Sequence, residues 1–345
     1  FALRATRDFG AQDLGGMLTR VDLPFVDREA TVASVDHLWS PTPAWNIRSQ
    51  VVASSVRQGG TRSDDSGFQV RADQELGEGW RQQAYLLHLG DELQLNDIGF
   101  LDRNDFNYLR YELARRYPNL PEDSKFASHE WRWAVSTRRN DGGLSIAEAA
   151  AVTRSSERRD GGRELFDVVG WTSGHDDLIT RGNGVVRVPE KIYAFWERAR
   201  PRQGFLSWEA SARVAGEGLE GASDPGLELY FQPTLHVGED LAIEFGLGVK
   251  HEPDWLLWRG GNRLASYRAD LATLGASLQW QIGHRQELRV KLETIALDAR
   301  LRQAWAVRAD GEPIATATPA DITDFSLANL GFQVRYRYEL APLSD

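Results

Sequence analysis

The sequence contains no cysteine and a single methionine, and none of its apolar runs approaches the roughly 18 residues that a membrane-spanning helix requires. A helical membrane span is therefore excluded. The missing cysteine fits an envelope protein without disulfides, but many cytosolic proteins also lack cysteine. Basic residues are outnumbered, with 40 Lys and Arg against 50 Asp and Glu and a formal net charge of −10. Nucleic acid is not an expected partner of such a chain.

Signatures of catalytic and metal sites are also missing. We find no Gly-x-Ser-x-Gly elbow, His-Glu-x-x-His helix, P-loop or calcium loop. The run Ser173-Gly174-His175-Asp176-Asp177 has the residue types of a catalytic triad, but sequence neighbours cannot adopt triad geometry. His129 and Glu130 are adjacent on a predicted strand and point to opposite faces. The sequence therefore predicts no catalytic residue, no metal site and no cofactor.

The most regular pattern that the sequence does contain lies at Phe325 to Leu340. Apolar residues occupy one parity there, and Asn329, Gln333, Arg335, Arg337 and Glu339 occupy the other, which is the period of a strand with two different faces. The segment exceeds the roughly 5–6 residues of a strand in a soluble protein. A membrane-spanning β-strand needs about 9–11 residues, apolar outward and polar inward.

Five more segments alternate in the same way, at 206–214, 227–237, 241–249, 266–282 and 287–293. A mean hydropathy of −0.44 is compatible with this pattern, because barrel strands dilute each apolar residue with a polar one. We predict an all-β fold, a transmembrane antiparallel up-and-down β-barrel of the bacterial outer-membrane type. We expect about 16–17 strands in this piece and roughly 18–20 in the whole barrel.

The connections between these segments indicate which side of the membrane each end occupies. The turns at 237–240 and 282–285 are tight, whereas 215–226, 251–265 and 299–323 are long and polar, and long loops are external in outer-membrane barrels. Residues 1–345 are predicted to form one barrel domain that lacks its first and last strands and any N-terminal domain. An ascending strand is expected before Phe1, and two more strands after Asp345.

Aromatic residues offer a check on this register. Six of them are predicted near inner turns, where a periplasmic aromatic girdle would lie: Trp39, Trp45, Trp80, Trp196, Trp280 and Tyr338. The alternative is that Trp simply favours strands.

Charged residues of both signs recur on the predicted inward parity and are expected to pair. The predicted groups are Arg110 with Glu112, Glu130 with Arg132, Glu209 with Arg213, Arg289 and Lys291 with Glu293, and Arg335 and Arg337 with Glu339. An unpaired buried ion costs several kcal/mol, so these side chains need water or partners of opposite sign. They form either a self-neutralising wall or a polar conduit that selects solutes.

Two predicted external loops repeat one short motif. Arg181-Gly182-Asn183-Gly184 resembles Arg259-Gly260-Gly261-Asn262, and the second is preceded by Trp255 and Trp258. Arg and Asn offer hydrogen bonds, Gly admits close backbone approach, and Trp offers a flat face to sugars. The candidate ligand site consists of these residues except Gly184, nine in all. The alternative is that Gly-Asn pairs form tight turns and Arg caps loop carbonyls.

Four segments together resemble a domain-of-unknown-function family of bacterial outer-membrane proteins: 96–106 (NDIGFLDRNDF), 178–190 (LITRGNGVVRVPE), 254–262 (DWLLWRGGN) and 327–345 (LANLGFQVRYRYELAPLSD). Members of that family typically carry an N-terminal carbohydrate-binding module of the family-nine type before a large barrel. The resemblance implies a barrel with further strands after this ending and supplies no activity or catalytic residue.

Three functions follow as hypotheses. The favoured one is an integral outer-membrane barrel that binds or passes a polar ligand, with a glycan as the candidate, through external loops and a charged lumen. The second is a structural barrel or assembly platform for lipoprotein, periplasmic or surface partners. The third is a barrel-embedded glycan or lipid hydrolase. In each case the chain contacts outer-membrane lipid.

Overall fold

The computed structural model describes residues 1–97, 101 and 103–340. Two of the four segments that carry the family resemblance, 96–106 and 327–345, extend beyond those residues. The regular secondary structure of the described chain is β-strand, apart from two single 3₁₀ turns at Pro24–Val26 and Gly221–Ser223. No helix in the described part is long and apolar enough to cross a membrane.

The chain contains two compact units, residues 1–116 with 131–151 (unit 1) and residues 117–130 with 152–345 (unit 2). The first nine strands are β1 (Ala2–Asp8), β2 (Gln12–Leu23), β3 (Arg28–Trp39), β4 (Trp45–Gln58), β5 (Thr61–Gly77), β6 (Trp80–Leu89), β7 (Phe106–Tyr117), β8 (Phe126–Arg139) and β9 (Ser145–Arg158). The others are β10 (Arg163–Trp171), β11 (Gly174–Asp176), β12 (Val186–Val188), β13 (Lys191–Gln203), β14 (Leu206–Gly216), β15 (Gly226–Val237), β16 (Leu241–Gly260), β17 (Arg263–Gln281), β18 (Gln286–Val307), β19 (Pro313–Thr316) and β20 (Phe325–Tyr338).

Neighbouring strands pair antiparallel in chain order. In unit 1, β1 through β7 pair in succession. In unit 2 the succession runs β10, β13, β14, β15, β16, β17, β18 and β20. Eighteen of the described strands belong to antiparallel sheet of this kind, and β11 pairs with β12 apart from them. Without the four-residue β19, seventeen remain. The predicted all-β, up-and-down architecture is confirmed.

Alternation gives each strand two faces, as period-two sequences require. In unit 2 the residues opposite one another on one face are apolar, for example Phe245, Ala276 and Leu292 in one row and Leu247 and Leu274 in the next. Phe245, Leu247 and Leu274 are exposed, and Ala276 and Leu292 are half-buried. In unit 1 Val51 and Phe68 form such a row, and so do Leu86 and Leu109. We call this side of each sheet the apolar face and the other side the polar face.

Along β17 and β18 the apolar residues of the apolar face form a belt, with charged residues at one end and an aromatic residue at the other. Beyond Ala272 the same face carries Asp270 and Arg268, and beyond Ala296 it carries Asp298 and Arg300. Trp280 stands at the opposite end of the belt. The apolar residues between these limits span about nine positions, close to the 9–11 that a tilted strand needs to cross a bilayer.

The predicted long loop at 251–265 is wrong. Strand β16 continues to Gly260 and β17 begins at Arg263, so the segment is an extended hairpin. The register shifts between Glu252 and Trp255, where three steps on β16 face two on β17. This β-bulge moves the later residues of β16 to the other face. The polar stretch read as a loop is therefore the continuation of a bulged strand.

The region 299–323 also differs from the predicted single loop. Strand β18 extends to Val307 and pairs with the short β19, and only 308–312 and 317–324 connect strands. The short strands β11 and β12 lie in the segment between β10 and β13. The predicted tight turns are present at 238–240 and 282–285.

Five of the six predicted girdle aromatics lie at the turn-proximal ends of strands. Trp39, Trp45, Trp80 and Tyr338 are terminal residues of β3, β4, β6 and β20, and Trp280 is the penultimate residue of β17. Trp196 instead lies within β13, opposite Phe166 and Ala212. Its distance from the turn follows from the length of β13, which extends to Gln203.

Candidate functional site

The two Arg-Gly motifs meet through one pair of side chains. The guanidinium carbon of Arg181 lies 4.8 Å from the centroid of the Trp258 ring, within the range of a cation–π contact. Trp258 Nε1 donates to the carbonyl oxygen of Gly261 at 2.8 Å. Beside them lies an apolar cluster of Val186, Leu264 and Val307 with Ile179, Leu219, Leu256, Trp258 and Trp305. The segment before β13 is thus fixed against the β16–β17 hairpin.

Arg259 and Trp255 belong to a different cluster, on the polar-face side of that hairpin. The Arg259 guanidinium donates to the Tyr267 hydroxyl and lies 5.0 Å and 5.8 Å from the ring centroids of Tyr267 and Phe325. The Trp255 and Phe325 rings are 6.0 Å apart. Tyr267 is fully buried with Ala265, Ala299 and Ile322. The predicted nine-residue site is therefore divided between two clusters.

The glycines and asparagines of both motifs serve local turn geometry. Gly261 has φ +55° at the first central position of the turn between Gly260 and Arg263, as type II′ hairpin turns require. The Asn262 side-chain amide donates to the carbonyl of Val307 at 2.8 Å. Arg181 and Gly182 both have positive φ, and the Asn183 amide donates to the carbonyl of Thr180 at 2.9 Å. These contacts favour the turn interpretation of the motif.

Charges on the polar face pair within single strands, two residues apart. Arg110 donates to Glu112 at 2.7 Å, and Lys291 lies 2.6 Å from Glu293. Arg289 pairs with Glu287, also at 2.6 Å, instead of with Glu293. Residues i and i+2 of a strand share a face about 6.6 Å apart, within reach of two long side chains.

Other predicted lumen charges have different neighbours. Glu209 contacts Arg163 at 3.3 Å, and Arg213 contacts Glu217 and Glu228 at 2.7 Å and 3.3 Å. Glu209 and Arg213 are four residues apart on one strand, about 13 Å, which is too far for an ion pair.

The remaining predicted charges lie on β8, on β20 or directly after β20. Glu130 and Arg132 both lie on β8. Arg335 is opposite Arg289, and Arg337 is opposite Glu287. Glu339 follows β20, and its backbone N–H donates to the carbonyl of Arg285 at 2.9 Å.

Unit 1 contains a cavity of about 820 Å³ that the sequence did not predict. Residues of β4 to β8 and of the turn before β4 line it, and five of them are arginines: Arg48, Arg71, Arg81, Arg110 and Arg132. Three carboxylates oppose them: Asp73, Glu75 and Glu112. This volume is within the 300–1,000 Å³ range of ordinary ligand pockets. Only Arg110, Glu112 and Arg132 of this wall were among the predicted site residues.

Hydrogen bonds fix part of the cavity wall. Arg71 donates to both carboxylate oxygens of Asp73, at 2.9 Å and 3.1 Å, and the Gln83 amide donates to Asp73 at 2.8 Å. The rings of Tyr85 and Tyr108 are 5.9 Å apart in an edge-to-face arrangement. The wall thus combines fixed charges with an aromatic surface, which suits a polar ligand.

Residues 90–97, which we call the docked segment, lie against the polar face of unit 1 at the other end of its strands. The Gln94 backbone N–H donates to Ser54 Oγ at 3.1 Å, and Leu93 is 1% exposed. Arg28 donates to Asp97 and to the Gln94 side chain. The hydrogen bonds from Arg28 hold the pKa of the Asp97 carboxyl below its ordinary value.

No family model and no curated protein matches this chain. Solved structures with detectable similarity include the siderophore receptor PirA from Pseudomonas aeruginosa, at 12% identity and TM-score 0.42, covering 97% of this chain and 74% of that one. P. aeruginosa FpvA bound to heterologous pyoverdines has 9% identity and TM-score 0.45, with coverage of 99% and 64%. A P. aeruginosa FadL homologue has 9% identity and TM-score 0.28, with coverage of 95% and 78%.

These neighbours are integral outer-membrane β-barrel proteins of Gram-negative bacteria. Their TM-scores, all below 0.5, transfer neither a ligand nor a function to this chain. Its own belt of exposed apolar side chains, bounded by charges and by Trp280, identifies it as an integral outer-membrane protein, because water-soluble monomers rarely expose such a continuous surface.

Proposed function

We propose that this chain is an outer-membrane β-barrel whose polar face lines a lumen that binds or passes a polar ligand. The observation that carries the proposal is the cavity of about 820 Å³ on the polar face of unit 1, which is walled by charged and amide side chains. A barrel interior that served only as packing would be filled by side chains. Charged side chains that border an open space of this size can interact with a solute instead.

A structural barrel or assembly platform is the second candidate, and the docked segment favours it. Arg28 and Asp97 hold that segment against the polar face, with only 18% and 7% of their side chains exposed. A segment held in this way would narrow a lumen. Partners of such a platform, including lipoproteins and periplasmic proteins, remain part of this second proposal.

A glycan ligand and membership of the uncharacterised carbohydrate-module family are finer proposals that rest on sequence. The four shared segments support the family. The Arg and Trp side chains near Gly261 support a sugar site less strongly, because Arg259 and Trp258 already donate hydrogen bonds within the hairpin. Binding of oligosaccharides by a Trp255→Ala/Arg259→Ala variant would test this site. Unchanged binding of every candidate glycan by that folded variant would remove the assignment.

Planar-bilayer conductance of the full-length protein tests the main proposal. The protein would be refolded in detergent, inserted and recorded with and without polar solutes on the external side. Steady conductance that a solute blocks supports a ligand-passing lumen. A folded but silent barrel favours the structural role. An Asp97→Asn variant that conducts where the wild type is silent would identify the docked segment as the seal.

A further inference from the structure

The charge in the unit 1 cavity has a sign opposite to that of the whole protein. Five arginines and three carboxylates line the cavity, so its wall carries a formal charge of +2, whereas the chain carries −10. Positive charge that is concentrated in a cleft attracts anions and repels cations, and low-dielectric walls strengthen the effect. The cavity is therefore a place on this acidic protein where an anion would be attracted.

Arg48 is an arginine of this wall whose donors are available to a ligand. Within the described residues it forms no hydrogen bond or ion pair, and its side chain is exposed to the cavity. It lies directly opposite Arg71, whose guanidinium is committed to Asp73. Like charges directly opposite each other on a sheet are destabilising. The Asp73 carboxylate offsets part of this repulsion, because its charge interacts with both guanidinium groups, and a bound anion would offset more of it.

We propose that Arg48 and Arg71 form an anion-binding site for a solute that carries a carboxylate or phosphate group. Arginine presents a planar fork of donors that fits both groups. Tyr108 also lines the cavity, and the ring of Tyr85 packs against the ring of Tyr108. A sugar acid or sugar phosphate would therefore contact both a positive charge and an aromatic surface. This inference rests on the proposed function and specifies its ligand class.

The same strand supplies a matched control. Arg57 on β4 is also exposed and also without a hydrogen bond or ion pair among the described residues, and it lies opposite Arg62, which is paired with Asp64. Toward β5 this arrangement repeats that of Arg48, Arg71 and Asp73, whereas toward β3 Arg57 lies opposite Glu29 and Arg48 lies opposite Leu38. However, Arg57 has the other parity, and it does not line the cavity. Substitution of Arg57 thus removes one positive charge and its cross-strand contacts from β4 but leaves the cavity lining unchanged.

Binding to the refolded full-length protein would be measured by titration calorimetry with glucuronate, glucose 6-phosphate, inorganic phosphate and neutral glucose, at low and high salt. We expect the anionic probes to bind and glucose not to bind, with weaker binding at high salt. Arg48→Gln should weaken anion binding at least about tenfold, as expected for loss of one charge-assisted contact. Arg48→Lys keeps the charge but not the planar fork and should fall between wild type and Arg48→Gln, and Arg57→Gln should match the wild type.

The outcomes distinguish the anion-site proposal from the proposal that the lumen passes a ligand. Glucuronate binding without phosphate binding, or the reverse, identifies the acid group and supports the site either way. Binding that is sensitive to Arg48 in a barrel that does not conduct supports the anion site while removing the conduit. Equal effects of Arg48→Gln and Arg57→Gln, or a conducting barrel that prefers cations and binds none of the anions, would overturn the anion site. Circular dichroism of each variant confirms that the strands are intact.

Discussion

The Arg28 guanidinium on β3 donates to both carboxylate oxygens of Asp97, each at 2.8 Å, across 69 residues of chain. This bidentate contact joins the segment between β6 and β7 to the first residue of β3. Charge-assisted pairs of this geometry are stronger than single neutral hydrogen bonds.

The Arg28–Asp97 contact predicts how the docked segment responds to substitution. Asp97→Asn should lower the free energy of local opening by about 1.5–3 kcal/mol, the cost of a hydrogen bond to a charged group. Hydrogen-exchange protection of residues 91–97 would measure the change. As a control, Glu29→Gln removes the more exposed ion pair with Arg20 at 2.9 Å, which is worth about 0–1 kcal/mol. Equal protection in wild type and Asp97→Asn would contradict the assigned contact.

The same contact predicts a pH dependence. The pKa of Asp97 is lowered from its ordinary value of 3.8. A lowered pKa stabilises the folded form fully above pH 3.8, and that contribution is lost as pH falls through the folded-state pKa below it. The docked segment should therefore lose protection in this acid range, after correction for intrinsic exchange rates. Asp97→Asn should show no such transition, and a loss of protection that begins at neutral pH would argue for another group.

The two faces of β17 predict opposite responses to one substitution. Ala276→Arg places a charge in the middle of the apolar belt, between Phe245 and Leu292, and should cost about 2–4 kcal/mol of folding free energy in lipid. Ser277→Arg lies one residue later on the polar face, between Glu244 and Lys291, and should be nearly neutral. Denaturant unfolding in lipid vesicles measures both. If Ser277→Arg were the more damaging variant, the assignment of faces would be reversed.

The buried Tyr267 hydroxyl predicts a structural role for Arg259. Arg259→Ala should destabilise the hairpin by about 1–3 kcal/mol, because it leaves that hydroxyl without its donor in a buried position. Arg263 is the control, since its 3.8 Å contact with Asp321 is exposed and its loss should cost less than about 1 kcal/mol. Limited proteolysis of residues 253–265 would compare them, and equal susceptibility would place Arg259 outside the packing.

A double-mutant cycle on Arg181 and Trp258 tests the contact between the two Arg-Gly motifs. Exposed cation–π pairs contribute about 0.5–1 kcal/mol, so Arg181→Ala, Trp258→Ala and their combination should show coupling of this size in unfolding free energy. Additive effects would mean that the ring and the guanidinium are neighbours without mutual stabilisation.

Strand order was predictable from sequence because period-two alternation runs through most of β14 to β18 and through β20. The bulge at Glu252 to Trp255 was not predictable, since Pro253 and Asp254 read as a polar loop. Asp254 is 4% exposed and accepts hydrogen bonds from the backbone N–H groups of Leu219 and Glu220 at 2.6 Å and 2.9 Å. Hydrogen bonds between Asp254 and residues about 35 positions away do not appear in the local hydrophobic pattern from which strands are predicted.

The cavity was missed for a related reason. The opposition of Arg48 to Arg71 depends on the register of β4 against β5, which individual strand patterns do not fix. The charged residues themselves were visible, and Arg110 with Glu112 was among the predicted pairs. Which charges share a cavity is a property of neighbouring strands and their turns.

Several polar-face ion pairs lie within one strand, including Arg71–Asp73, Arg110–Glu112 and Lys291–Glu293. A strand that carries its own counter-charge needs no neighbour to balance it. Hairpins of this kind could be duplicated or lost during evolution, or inserted one after another during assembly, without exposing an unmatched charge at each step. Balance within single strands would let barrels of different circumference arise from one repeated element.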